Sequence, residues 1–257
     1  LLYLITAHAI LPPTFSSSPL SGQNASVILF DPLHHFSIPR LAAVMLNTIL
    51  TSMRLNDKSI SEPAIKSLIK SSLMHVHIFR PQSWTSLLST LRSLPDYLFD
   101  ASRHKSIYRR VHSIVLDDID AFIWSIRNTP NTATSSNHMA NASALLTSVL
   151  KRLISTLFCS VILTTHSSMP NQFRPSLPTS WPQDMQTTRL AVRKVEVLKF
   201  APMVSVEGAE AERKQRWEVV QRGRFECWKV GMGVRDGERF VFRVGEKGVE
   251  IERGEGK

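Results

Sequence analysis

Val111-His112-Ser113-Ile114-Val115-Leu116-Asp117-Asp118 is an apolar run that ends in two carboxylates, and the apolar residues Ile119, Ala121, Phe122, Ile123 and Trp124 follow it. A strand buried on both faces reads as a near-continuous hydrophobic run. In parallel sheets, ligands gather beyond the carboxyl ends of such strands. Asp117 is therefore the leading candidate for a binding residue, either holding a water of a bound Mg²⁺ or capping the strand end. Working outward, three further runs have the same character: Ser26–Asp31, stopped by Pro32; Met74–Phe79, closed by Arg80-Pro81; and Cys159–His166.

Between these runs the apolar residues recur at helical spacing. The pattern predicts helices over Ile38–Met53, over Glu62–Ser72, through the stripe Leu87, Leu88, Leu91, Leu94, Tyr97 and Leu98, and over Ala144–Leu157. Leu1, Leu2, Leu4, Ile5, Ala9 and Ile10 predict a first helix that Pro12-Pro13 stops. Alternation of strand and helix at this spacing indicates an α/β fold, a mainly parallel sheet covered on both faces with right-handed connections. Ser-, Pro- and Asn-rich stretches at Thr14–Gln23, Asn128–Asn137 and Ser167–Gln186 read as loops. Thr188–Phe200 resumes strand character, Ala209–Arg222 reads as a charged helix, and Arg224–Val230, Arg239–Val244 and Val249–Glu252 read as short antiparallel strands or hairpins.

Composition narrows the class. With 43% apolar and 20% charged residues in 257, the chain is globular and large enough for one substantial core with a small appendage. Its net charge of +10 is concentrated early: residues 1–206 hold 19 Lys and Arg against 10 Asp and Glu, and residues 207–257 hold 12 against 11. Arg103, His104, Lys105, Arg109 and Arg110 cluster just before the aspartate strand. Such a field favours polyanions, nucleic acid first; a solvated basic face is the plain alternative. The 2 cysteines, Cys159 and Cys227, supply neither a disulfide framework nor metal-ligand spacing, which points to a reducing compartment. The apolar stretches Leu1–Leu11 and Leu153–Leu163 are too short to span a bilayer, so no membrane partner is expected. Leu1–Leu11 has neither a basic residue nor an initiator Met ahead of it, and the sequence reads as starting inside a domain.

A carboxylate-ended strand is one half of a nucleotide site. The other half, a phosphate loop, needs glycines whose N–H groups approach the phosphates, then Lys and Ser or Thr. Across residues 1–207 the only glycine is Gly22, so no such loop lies within that range.

The ordered series LLYLITAHAILP, SVILFDPLHHFSIPRL, HVHIFRPQSWTSLLSTL, VHSIVLDDIDAFIW, FCSVILTTHS and TRLAVRKVEVLKFAP, reaching from residue 1 to about 202, resembles the RecA superfamily. Within it the series is most similar to the eukaryotic recombinase paralogues, of the small X-ray-repair cross-complementing type found in fungi. The resemblance implies a RecA-like P-loop NTPase core over residues 1–206, truncated before its first helix, and a charged helix with a Gly-rich β extension over 207–257. It also implies that Leu1–Leu11 is the helix directly after the phosphate loop, so ATP and Mg²⁺ are implied only together with a loop upstream of Leu1. Because the strand preceding that loop lies inside the sheet in relatives, the resemblance implies a gap or a local rearrangement there.

Residue by residue, the resemblance makes Asp117 the holder of a Mg²⁺-bound water. Arg40, beside Phe36 and Leu41, takes the place of an arginine that packs on adenine. His166, next to Thr165, takes the place of a polar residue that senses the γ-phosphate. The glutamate that activates water in relatives is replaced by Leu33, which cannot accept a proton. His34 or His35 could stand in for it, with a surface histidine pair as the alternative. Asp118 is a weak candidate base, because relatives usually have Ser there, and Asp120 reads as a cap. Ser37 and Pro39 depart from the family pattern. The loops Asn128–Asn137 and Ser167–Gln186 match DNA-contacting loops in position, but the second contains only Arg174 as a basic residue, a poor basis for phosphate binding. Trp84, Trp124, Trp181, Trp217 and Trp228 are scattered as packing residues rather than set out as a stacking platform.

The function implied is that of a non-catalytic nuclear subunit in double-strand break repair by homologous recombination. It would dock other recombinase paralogues in a hetero-oligomer and support recombinase filaments on single-stranded or branched DNA. The rivals are a working DNA-dependent ATPase with its phosphate loop restored, and a purely structural subunit without DNA contact.

Overall fold

The computed structural model describes residues 1–55, 61–128, 137–167, 173, 175–195, 210, 213, 223–231, 239–245 and 248–252. The chain forms two compact units, Leu1–Gln186 and Thr187–Lys257. The division therefore falls before the strand at Arg189–Lys194 rather than after residue 206, because that strand pairs with Arg224–Val230 instead of joining the parallel sheet.

In the first unit, helix α1 (Leu2–Ile10) is followed by a small hairpin, β1 (Thr14–Phe15) with β2 (Ser18–Pro19), inside the segment expected to be a plain loop. Then come β3 (Ser26–Phe30), α2 (Ile38–Leu55), α3 (Glu62–Leu73), β4 (Val76–Phe79), α4 (Trp84–Leu98), β5 (Val111–Leu116), a 3-10 turn at Ile119–Phe122, α5 (Ile123–Arg127), α6 (His138–Leu157) and β6 (Ser160–Leu163). Strands β4-β3-β5-β6 form a four-stranded sheet in that order, and every pairing is parallel.

Side-chain alternation along a strand sorts the core into two layers. Ile28 and Phe30 of β3 and Ile114 and Leu116 of β5 face Leu87, Leu91 and Leu94 of α4 and Leu146 and Leu150 of α6. Val27, Leu29 and Val115 face the other way, onto Ala9 and Ile10 of α1 and Leu41, Met45 and Ile49 of α2. Both faces of the sheet are thus covered, as the continuous apolar runs require. Helix starts follow local chemistry: Ser83 Oγ accepts the Ser86 N–H to open α4, and Asn137 Oδ1 accepts the Ala140 N–H to open α6. The second cap explains why α6 begins six residues ahead of the expected Ala144.

Gly22 has a structural role. A Cβ there would lie 2.1 Å from the Leu11 carbonyl oxygen and 2.5 Å from that of Pro12. The same loop is tied to α1 by the Gln23 N–H to His8 O, Asn24 N–H to Leu11 O and Ala25 N–H to Ala9 O bonds. Gly22→Ala is expected to destabilise the first unit by about 1–3 kcal/mol, the usual cost of forced overpacking, read as a lower midpoint in denaturant; an unchanged midpoint would show that the loop yields freely.

The sheet ends at β6, and β7 (Arg189–Lys194) belongs to a separate antiparallel sheet of order β10-β9-β8-β7, with β8 (Arg224–Val230), β9 (Arg239–Gly245) and β10 (Gly248–Glu252). Its register puts Leu190, Val192, Phe225, Cys227, Phe240, Phe242, Val244 and Ile251 on one face. Arg189, Arg193, Glu226, Trp228, Arg239, Arg243 and Glu252 lie on the other. The hairpins expected near the C-terminus are therefore present, enlarged to four strands by β7. The expected helix Ala209–Arg222 and Trp217 lie outside the described residues, apart from Glu210 and Arg213. Among the described residues no helix is long and apolar enough to cross a membrane. Cys159 and Cys227 are free and buried, and burial pushes the Cys159 thiol up to about 11.

Candidate functional site

The carboxyl ends of β5 and β6 bring together most of the chemistry that the sequence singles out. Thr164, just past β6, reaches across to the end of β5: its Oγ1 donates to Asp117 Oδ1 at 2.7 Å and accepts the Asp118 N–H at 2.9 Å. The backbone continues the link, with Thr164 N–H donating to Leu116 O and Ile119 N–H to Thr164 O. Thr164 is thus the residue that fixes both aspartates, a role the sequence did not reveal because a lone Thr at a strand end carries no pattern.

Asp118 sits in the left-handed region at φ 65°, where the chain leaves β5 for the 3-10 turn. Its Oδ1 accepts the Asp120 N–H at 3.2 Å, and its Oδ2 lies 3.1 Å from His166 Nδ1. Asp120 Oδ2 accepts the His166 N–H at 2.6 Å, while Asp120 Oδ1 is buried without a hydrogen-bond partner among the described residues. Burial, with the Asp118 charge beside it, holds the Asp120 carboxyl above its ordinary range, against the lowering pull of the His166 N–H. One donor atom each from Asp118, Asp120 and His166 lie within 4.8 Å of one another. Asp120, expected to be only a cap, is a full member of this cluster.

The remaining expected residues occupy other positions. Arg40 enters from the first turn of α2, its N–H donating to Ser37 Oγ at 3.3 Å. Asp31, at the end of β3, is fully buried and holds the following turn, accepting the His35 N–H at 2.8 Å and the Phe36 N–H at 3.2 Å. Leu33, His34 and His35 project outward in that turn, Leu33 with 42% of its surface exposed. Arg174 and most of the loop Asn128–Asn137 lie outside the described residues.

The fit to ATP and Mg²⁺ is partial. Asp117 stands where a carboxylate could hold a metal-bound water, but one of its oxygens is already engaged by Thr164. The depression beside it, lined by Phe30, Pro32, Leu87, Leu116 and Phe122, is too tight to admit even a water molecule. Small-molecule sites occupy roughly 300–1,000 Å³. No glycine-rich phosphate cradle occurs among the described residues, since Gly22 serves the α1 loop. No reaction step through the nucleotide follows from these residues.

A second polar cluster lies at the edge strand. His75 Nδ1 and His77 Nε2 both sit 2.8 Å from Ser106 Oγ, and His77 Nδ1 lies 2.9 Å from Tyr97 Oη. His104 Nδ1 accepts the Ser106 N–H while its Nε2 faces the Tyr97 and Leu98 carbonyls, which fixes the proton on Nε2. Burial, reinforced by the positive charge of nearby Arg109 on His75 and by His104 on both, pushes His75 and His77 down to about 4.

Taken together, these features define a mixed α/β protein with a parallel sheet flanked by helices, of a generic Rossmann or P-loop-like arrangement, with a carboxylate and histidine cluster at the carboxyl edge. No protein-family model matches the sequence, and no curated protein matches it.

Proposed function

We propose that the chain is a non-catalytic recombinase-paralogue subunit with a degenerate RecA-like core, acting in the nucleus in double-strand break repair by homologous recombination. It docks other recombinase paralogues and supports filament assembly on single-stranded DNA. The observation that carries the non-catalytic part is the turn after β3. Where the resembled family places a water-activating glutamate, Leu33 offers an exposed hydrocarbon, and the adjacent Asp31 is consumed in holding the turn. The series of motifs and the positive charge of residues 1–206 support the DNA-binding part.

The test is binding of a fluorescent single-stranded oligonucleotide at two salt concentrations. Neutralising about four phosphates predicts roughly 50-fold weaker binding for a fourfold rise in salt. No binding at the lower salt would overturn the DNA role and leave a purely structural subunit. ATP hydrolysis in the same preparation is expected to stay at background with and without DNA.

A further inference from the structure

We propose that Asp118, Asp120 and His166 form a site for a divalent first-row transition ion of the Zn²⁺ type, a role that requires neither nucleotide nor DNA. Three observations combine. The donor atoms of two carboxylates and one imidazole converge within 4.8 Å. Asp120 Oδ1 is buried and has no partner among the described residues, although a buried carboxylate oxygen is costly to leave unpaired. The polar groups already present hold the cluster in shape without saturating it. Asp118 Oδ1 is fixed by the Asp120 N–H and Asp120 Oδ2 by the His166 N–H. Asp118 Oδ2 and His166 Nδ1 meet at 3.1 Å, and Asp120 Oδ1 is the unpaired oxygen.

Charge points the same way. Two carboxylates, two residues apart, bring their charges within 4.8 Å of each other and of one imidazole. A divalent cation cancels both charges, takes the orphan oxygen as a ligand and replaces any proton on His166 Nδ1. Tetrahedral coordination with bonds of ~2.0–2.1 Å sets donors roughly 3.3 Å apart, so the cluster needs only modest closure. The His166 side chain, 82% exposed, is free of packing that would resist it. The imidazole selects the ion, since all-oxygen sites suit Mg²⁺ and Ca²⁺ while a ring nitrogen favours Zn²⁺ and its neighbours. With three protein ligands, the remaining coordination positions are left to water, the open arrangement of a reactive rather than a purely structural centre.

The experiment uses the full chain and titrates Zn²⁺ against a chromophoric chelator, with Co²⁺ absorption as a second readout of coordination. One equivalent of Zn²⁺ is expected to bind, unaffected by a large excess of Mg²⁺. His166→Ala and Asp120→Asn should each weaken it at least tenfold and remove the Co²⁺ band. A variant changed at both His34→Ala and His35→Ala should bind as the parent does, which separates this site from an exposed histidine pair. His166→Ala alters an exposed side chain, so its fold is not at risk, and it decides the matter if Asp120→Asn proves unstable. Equal Zn²⁺ affinity for parent and His166→Ala, or no stoichiometric binding by the parent, would overturn the site. Failure of DNA binding in the earlier test would leave this result untouched.

Discussion

Stability is expected to collapse as pH falls from about 6.5 toward 4, well above the range in which simple carboxylate protonation unfolds most domains. His75 and His77 have ordinary values near 6.5 when unfolded and are held to about 4 when folded. The folded state therefore binds fewer protons than the unfolded state across that window, so its stabilisation is complete above pH 6.5 and is lost as acid protonates the unfolded chain. A gap of this size is worth roughly 3 kcal/mol per histidine at most, and coupling between the two rings through Ser106 makes the pair worth less than twice that. The loss is still comparable to the whole stability of a typical domain. Denaturant midpoints at pH 7.5, 6, 5 and 4.5 provide the measurement. The variant carrying both His75→Gln and His77→Gln should start less stable but show a much flatter profile. A parent midpoint that does not move between pH 7 and 4.5 would refute the account.

The second large effect belongs to the sheet. Phe30 is completely buried at the end of β3, stacked on Phe79 with ring centroids 5.3 Å apart, and it packs in the layer formed with α4 and α6. Phe30→Ala removes this ring from one of the two central strands of the parallel sheet, and it should cost about 3–5 kcal/mol. The effect reaches the candidate site, because Asp117 N–H donates to Phe30 O. A drop in the unfolding midpoint is expected together with weaker Zn²⁺ binding. A drop of less than about 1 kcal/mol would mean that the surrounding helices collapse into the space.

Much of this architecture was legible from residue pattern. The runs at Ser26–Asp31 and Val111–Asp118 announced β3 and β5 because strands buried on both faces leave no polar alternation to misread. Helix α2 ends at Leu55 and α3 at Leu73, close to the expected ends, because their apolar stripes have clear periods. The α6 start was misjudged because its first turns carry Asn, Met, Ala and Ser, and the signal lay in the capping Asn137 instead. The domain boundary was misplaced because Thr188–Phe200 has strand character in either sheet, and only pairing with β8 decides which.

The site was legible in part. Asp117 and His166 were picked as strand-end residues, but strand-end position cannot reveal that Thr164 braces one and Asp118 and Asp120 meet the other. That convergence depends on the adjacency of β5 and β6 and on a positive φ at Asp118, neither of which is encoded in spacing. The histidine network did leave a trace: His75 and His77 are two apart at a strand, so they share a face, and a paired polar position on an otherwise apolar run called for a partner.

The antiparallel sheet of the second unit carries its own safeguard against misfolding. Sliding β7 by one residue along β8 would carry Leu190 and Val192 to the face that holds Glu226 and Arg243. In the native alignment Arg193 pairs with Glu226 and also lies 5.3 Å over the Trp228 ring, while Arg224 and Arg243 converge on Glu252. Exposed ion pairs of this kind add little to stability. Their value is as a proofreading device: a one-residue slip of β7 would part Arg193 from Glu226 and carry it to the face of Phe225 and Phe242, so the ion pairs favour the native alignment.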